Sequence, residues 1–414
     1  MKTHHQFSFV LLVATLFWLT PALASGQAEK VLHAFERLDG VNPYFAGVIF
    51  DSAGNLYGTT TFGGEGCSGT GCGTVFELSP NADGSWTESV IHNFAGGTDG
   101  QSPLGGLIFD DAGNLYGTTS GNGAPGTVFE LSPGLGGGWT EKILYNFKGG
   151  EDGSAPIGSL VFDPAGNLYG TTTGGGTHNG GTVFELQRVA GGTWNKSTIH
   201  NFRIGTDGHY PWGNLIFDPE GNLYGTTDQG GPHGWGIVFE LTRTSGGVWA
   251  EHQLHGFGAK GDGAQPEEGL VLDASGNLYG GTVSGGSHGR GIVFELSPTS
   301  GGWAERIIYY FSSESSGWAP GGNLLLDSAG NLYGETFEGG TGGCIRGGCG
   351  VVFELSPMAG GPWKETVLMD ASANIDGGVP WGGLTFDAAG NLYGTTYGGS
   401  GHGAYYGTVF EVTR

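Results

Sequence analysis

Leu107-Ile108-Phe109, Asp110-Asp111-Ala112-Gly113-Asn114, Leu115-Tyr116-Gly117-Thr118-Thr119, then Thr127-Val128-Phe129-Glu130-Leu131, then Trp139-Thr140-Glu141-Lys142-Ile143-Leu144-Tyr145-Asn146-Phe147: this stretch reads as four short strands with no helical period. We label the strands A to D in order. The Asp110–Asn114 connection is hairpin chemistry, because Asp bonds the backbone ahead of it and Gly tolerates positive φ. Strand A is apolar at consecutive positions, so both of its faces are expected to be buried. Four-stranded meanders packed face to face around an axis meet that condition.

Working outward, the string D-x-x-G-N-L-Y-G begins at Asp51, Asp110, Asp163, Asp218, Asp273, Asp327 and Asp387, at intervals of 53 to 60 residues. V-F-E-L or a close variant follows each copy, from Val75 to Val409. Six copies continue to a strand opened by Trp86, Trp139, Trp194, Trp249, Trp303 or Trp363, and a Gly-x-x-Pro turn leads onward. The seventh copy stops after strand C, while Glu29-Lys30-Val31-Leu32-His33-Ala34-Phe35 near the N-terminus resembles Glu141–Phe147. A unit split between the two ends latches a closed ring, and closure removes exposed sheet edges. The expected fold is all-β: a seven-bladed β-propeller of four-stranded antiparallel meanders. Its ring is closed by Lys30–Phe35 pairing with the segment around Thr408–Val412.

The 89 glycines are periodic and sit among Phe, Tyr, Trp, Leu and Val, which signals tight turns rather than disorder. Lys2, the apolar run Phe7–Leu19 and Ala22-Leu23-Ala24 read as a signal peptide over residues 1–24. Residues 25–414 are then one propeller domain, secreted to an extracellular or periplasmic location, with no transmembrane segment or anchor in the mature chain. The formal net charge of −24 and the lack of a basic stripe exclude nucleic acid as a partner. Export places the cysteines in an oxidising compartment, and two local disulfides are expected, Cys67–Cys72 and Cys344–Cys349.

With these motifs, the chain resembles the GloVer tandem-repeat proteins of bacteria over residues 28–414. That resemblance implies exported propeller-like repeats and an extracellular or envelope location, and it implies no reaction.

Seven-fold repetition argues against a catalytic role for the V-F-E-L glutamates, since an acid/base pair needs unequal surroundings. They are expected to bond Thr, Trp or backbone groups. The D-x-x-G-N aspartates are expected to be turn residues, lacking the ligand density of a calcium loop. Four B–C loops carry a histidine, His178, His233, His288 and His402, flanked by glycine with no carboxylate near in sequence. They read as exposed loop residues, and neither a metal nor a cofactor is expected. The residue after the D–A proline varies most: Tyr44, Leu104, Ile157, Trp212, Glu267, Gly321 and Trp381. Function is expected where the repeats differ, on loops held by the scaffold. The expected ligand-binding residues are therefore Tyr44, Tyr210, Trp212, Trp235 and Trp381, with Tyr44 beside Trp381, and with Trp212 and Trp235 beside Glu267 and Glu268. The reading is a monomeric, non-enzymatic binding or scaffold propeller, recognising carbohydrate or an envelope protein. Its rival is a secreted carbohydrate-active lyase or hydrolase with Glu267 or Glu268 as acid/base, assisted by His233 or His288.

Overall fold

The D-x-x-G-N turns close through one set of bonds, lacking only the Glu220 N–H bond in blade 4. In blade 2 the Asp110 carboxylate accepts from the backbone N–H groups of Ala112 and Asn114 at 2.9 Å. It also accepts from the Asn114 amide at 2.8 Å and the Tyr116 hydroxyl at 3.0 Å. Gly113 stands at φ 81°, the left-handed conformation that glycine adopts without steric cost. Strands A and B leave this turn as Ile108–Phe109 and Leu115–Thr119, and C and D follow as Thr127–Pro133 and Trp139–Asn146. All neighbours are antiparallel, with Tyr116 opposite Glu130 and Glu130 opposite Lys142.

This computed structural model describes residues 28–45, 47–344, 347–372, 377–398 and 406–414. The proposed leader, His402 and Tyr405 lie outside them. Seven four-stranded sheets of order A-B-C-D make the ring, with no α-helix among the described residues. In the last blade the outer position is taken by Glu29–Ala34, antiparallel to Thr408–Val412 with Val31 opposite Phe410. The chain is a seven-bladed propeller latched by its N-terminal strand.

The core lies between blades, one apolar cluster at each of the seven seams. At one of them Tyr169, Val183 and Phe202 meet Leu215, Leu223, Phe239 and Leu241 of the next blade, all buried. Burying side chains of this size contributes about 1.5–3 kcal/mol each. The glycine of L-Y-G is dictated by this packing. A Cβ on Gly117 would lie 2.6 Å from Phe129 Cζ and 3.0 Å from Leu107 Cδ2. The strand-D tryptophans reach back to the preceding blade, as Trp139 does to Tyr57 at 5.8 Å between centroids.

The V-F-E-L glutamates bond partners other than the expected Thr and Trp. Glu185 and Glu240 accept from the L-Y-G tyrosines Tyr169 and Tyr224 at 2.7 and 2.8 Å. Glu77, Glu130, Glu295 and Glu354 accept from the serine two positions on, at 2.8–3.3 Å. Strand alternation puts that serine on the same face as its glutamate. Both disulfides are formed, Cys67–Cys72 and Cys344–Cys349, with Cα separations of 5.5 and 5.1 Å.

One irregularity recurs in all seven C–D pairs. Val75 faces His92 and Phe76 faces Val90, leaving Ile91 as a bulge, and the equivalent shift occurs in every other blade. Trp86 points at the preceding blade, where it meets Tyr393. Regular alternation would send His92 the same way. The bulge re-aims it toward the following blade, where it lies 3.4 Å from Glu141.

Candidate functional site

Strained backbone delivers the variable side chains to one end of the ring. In every blade the residue before the D–A proline has φ between 54° and 61°, from Asn42 to Val379. Its N–H donates to a carbonyl in the B–C loop of the preceding blade, for example Asn42 to Tyr406 at 2.7 Å and Ser102 to Cys72 at 2.8 Å. Positive φ is uncommon away from glycine and persists only where surroundings over-determine it. The proline ahead and the inter-blade hydrogen bond do so here. D–A and B–C loops therefore share a face, and the residue after each proline sits at the mouth.

Ring closure makes that mouth aromatic on one side. Tyr44 of blade 1 and Trp381 of blade 7 meet edge to face at 5.0 Å, and Tyr397 packs on Tyr44 at the same distance. Phe337 stacks on Trp381 at 4.3 Å with 4° between planes. The indole also covers Gly321, where a Cβ would lie 2.5 Å from Trp381 Cδ1, so blade 6 has no side chain at its variable position. These rings line a cavity of about 700 Å³, together with Leu104 and the polar Asn42, Ser102, Ser120 and Asn122. Trp381 and Tyr44 are partly exposed, Tyr397 is 39% exposed, and the indole N–H of Trp381 has no hydrogen-bond partner among the described residues.

Phe45 joins what the sequence reading kept apart. It lies 4.9 Å from Trp381 and 5.3 Å from Trp212, so the two expected aromatic patches are one cluster spanning the ring. Its position carried a signal: Pro43 precedes Asp51 by eight positions, whereas the other six D–A prolines precede theirs by seven. Phe45 belongs to that longer loop and has φ 58°.

Beneath Phe45, Trp212 and Trp381 the channel narrows to a neck of about 30 Å³ lined by Glu267 and Glu268. That is room for about one water. The fourth residue of strand B is Thr59, Thr118, Thr171, Thr226, Gly281, Glu335 or Thr395 around the ring. Thr226 donates to the Glu268 carbonyl at 2.6 Å. In blade 5 the residue is Gly281, and the Glu268 carboxylate fills the space, 3.0 Å from where a Cβ would stand. In blade 6 it is Glu335, 1% exposed, whose Oε2 accepts from the Gly383 N–H at 2.8 Å while Oε1 has no partner among the described residues. Glu268 is 5% exposed, and neither of its oxygens is bonded within the described residues. Burial pushes the Glu335 carboxyl up to about 8, against the pull of the Gly383 N–H. Burial, then the charges of Glu267 and Glu335, pushes Glu268 well above the carboxylate range. Glu267 is partly exposed and raised to about 7, by burial first and by Asp228 second. Asp228 in turn accepts from the Gln229 and Gln265 amides at 3.0 and 3.3 Å.

The structure thus brings together Tyr44, Trp212, Trp381, Glu267 and Glu268. Trp235 does not join them: it is 49% exposed, its ring covers Gly258, and it lines neither the cavity nor the neck. Tyr210 is the strained residue before its proline and packs on His209 at 4.7 Å, with only its backbone framing Asp228. His233 and His288 are exposed on their B–C loops and line neither space. Phe45, Phe337, Asp228 and Glu335 were missed, although each departs from its counterparts in the other repeats.

A protein from Bacteroides uniformis described as a 6-phosphogluconolactonase has a similar fold, at a TM-score of 0.52 and 13% identity, over 77% of this chain and 84% of that one. A glucose dehydrogenase-type oxidoreductase of Thermus thermophilus aligns at 0.45 and 19%, over 75% and 96%. A protein of unknown function from Dyadobacter fermentans aligns at 0.48 and 13%, over 94% and 100%. At these identities the likeness is one of fold alone. No curated protein sequence matches the chain. The profile of the Gloeobacter/Verrucomicrobia repeat matches residues 13–218, 120–342 and 214–414, and the chain belongs to that family.

Proposed function

We propose that this chain is an exported, non-enzymatic binding propeller whose mouth takes an oligosaccharide. The observation that carries the reading is the cavity of about 700 Å³, lined by the rings of Tyr44, Trp381 and Tyr397 together with the hydroxyl and amide groups of Asn42, Ser102, Ser120 and Asn122. Aromatic rings offer flat apolar faces to the C–H faces of sugars, and a few placed polar groups fix orientation. Phe337 stacked on Trp381 holds one ring in place before binding, which lowers the ordering cost. The reading takes residues 1–24 as a removed leader and 25–414 as the single mature domain. The two disulfides fit an oxidising compartment, and no helix among the described residues is long and apolar enough to cross a membrane.

The enzymatic alternative draws support from Glu267, a partly exposed neck carboxyl raised to about 7 and so able to donate a proton near neutrality. Glu268 is a poorer candidate, since a neck of about 30 Å³ admits no sugar ring to it. A glycan array followed by product analysis of retained sugars separates the two readings. Binding is expected to vanish in Tyr44→Ala/Trp381→Ala with the ring still folded, and the retained sugar is expected to be recovered intact. Retention unchanged in that variant would reject the site, and cleaved product lost in Glu267→Gln would establish the enzyme instead.

A further inference from the structure

Each seam between blades carries a second constellation, away from the mouth. The bulged strand D of one blade offers His33, His92, His200 or His255. The following D–A loop offers Asp39, Asp99, Asp207 or Asp262, and strand D of the next blade offers Glu88, Glu141, Glu251 or Glu305. At three of these seams, those of His33, His92 and His255, one ligand atom from each residue lies within 4.8 Å of the other two.

The spacing at the first of the regular seams is informative. His92 Nε2 lies 3.4 Å from Glu141 Oε1 and 3.7 Å from Asp99 Oδ2. Charge-assisted hydrogen bonds are shorter, about 2.7–2.9 Å. Zinc bonds of about 2.0–2.2 Å to nitrogen and oxygen place tetrahedral donors roughly 3.3–3.6 Å apart. His92 Nε2 and Glu141 Oε1 are both buried, and neither makes a hydrogen bond among the described residues. An imidazole nitrogen and carboxyl oxygens converging on one partly buried pocket form a donor set that a cation would satisfy.

The ring supplies an internal comparison. Between blades 2 and 3 the same three positions hold Tyr145, Asp152 and Lys196. There the Lys196 ammonium, 5% exposed, sits 3.0 Å from Asp152 Oδ1, and Tyr145 donates to the same carboxylate at 2.8 Å. Histidine and glutamate are both replaced where the chain brings its own cation. Between blades 5 and 6 the Asp position is Ser316, and Tyr309 simply bonds Glu365 at 2.7 Å. At His33 and His255 the donor set is kept and the imidazole bonds its aspartate at 3.2 Å, whereas at His92 the nearest carboxyl oxygens stand at 3.4 and 3.7 Å.

We infer that the His92–Asp99–Glu141 seam binds a zinc-class divalent cation that staples neighbouring blades through one imidazole and two carboxyl groups. Water completes the coordination, since His92 and Asp99 keep 17% and 29% of their side chains accessible. The loop histidines have no part in it.

The test uses untagged full-length protein stripped with chelator and titrated with Zn²⁺ by calorimetry, alongside thermal unfolding. The parent is expected to bind zinc and to melt at a higher temperature with it. The variant His92→Tyr/Glu141→Lys copies the blade 2–3 seam, so it is expected to fold and to bind one zinc fewer. Should that variant lose its β-sheet circular dichroism, Glu141→Gln alone serves, with the same loss of one equivalent. Absence of zinc binding in the parent, or a stoichiometry the variants leave unchanged, overturns the inference.

Discussion

Replacing Glu335 by Gln tests whether the fold works against a charge at this buried carboxyl. The carboxyl is 1% exposed, its one hydrogen bond among the described residues comes from the Gly383 N–H, and the neighbouring Glu268 carboxyl is raised as well. Its ionisation sits at about 8 in the ring, against the ordinary glutamate value of 4.5. Because the folded value is raised, the folded state binds more protons than the unfolded chain between these limits, and stability falls as pH rises through the window. Each tenfold change in proton affinity between the two states corresponds to about 1.4 kcal/mol. Because the unfolded chain ionises first, the shift removes about 1 kcal/mol of stability by pH 5 and about 3 kcal/mol by pH 7, and levels off above pH 8. Gln fills the same volume, keeps an oxygen for Gly383 and carries no charge. Its own packing cost is constant with pH, so the slope is the informative quantity. Urea unfolding at pH 5, 6, 7 and 8 is expected to show the variant gaining about 2 kcal/mol on the parent between pH 5 and 7. Parallel curves for the two proteins would refute the reasoning, since Glu335 would then be ionising as freely as it does in the unfolded chain.

Two further outcomes follow from the scaffold. Cys67→Ser/Cys72→Ser opens a six-residue loop and is expected to cost about 2 kcal/mol by chain entropy, read as a lower urea midpoint that reducing agent does not lower further at that loop. Tyr169→Phe removes a hydroxyl that donates to Asp163 at 3.2 Å and Glu185 at 2.7 Å and accepts from Arg243 at 3.1 Å, and is expected to cost about 1–3 kcal/mol. Tyr393→Phe, whose hydroxyl has no such arginine, is the comparison and is expected to cost less.

The parts of the fold legible in the sequence are those repeated seven times. Each D-x-x-G-N turn bonds within five residues, and each L-Y-G glycine is fixed by the phenylalanine of the next strand, so one unit predicts the rest. The split unit likewise announced that Glu29–Ala34 completes the last blade. Pairing of Tyr44 with Trp381 was legible because ring closure sets it. Direction was not legible. Trp235 follows its B–C loop outward onto Gly258, and the residues of that loop do not tell which way its ring will point. The strand-D histidines passed unnoticed because alternation alone puts them on the face of Trp86. Only the bulge at Ile91 turns His92 to meet Glu141, and a bulge leaves no sequence mark when the register shift is shared by every repeat.

What repetition hides, departure from repetition reveals. A side chain that recurs in all seven blades answers to the ring, since each blade meets the same neighbours; one that occurs once or twice answers to something else. Applied to the fourth residue of strand B, the rule selects Gly281 and Glu335 from five threonines; the Glu268 carboxyl fills the space at Gly281, and Glu335 buries a second carboxyl against Gly383. Applied to the D–A loop, it selects Phe45 by length, and Phe45 is the ring that ties Trp212 to Trp381. Applied to the seams, it selects Lys196 and Tyr145, which change together and expose what His92 and Glu141 are doing elsewhere. The buried Glu335 carboxyl raises the energy of the folded ring as pH rises, and a threonine there would follow the other blades at no such cost. A scaffold selected for stability alone has no use for that exchange, which is why we place the proposed binding site at the mouth beside it.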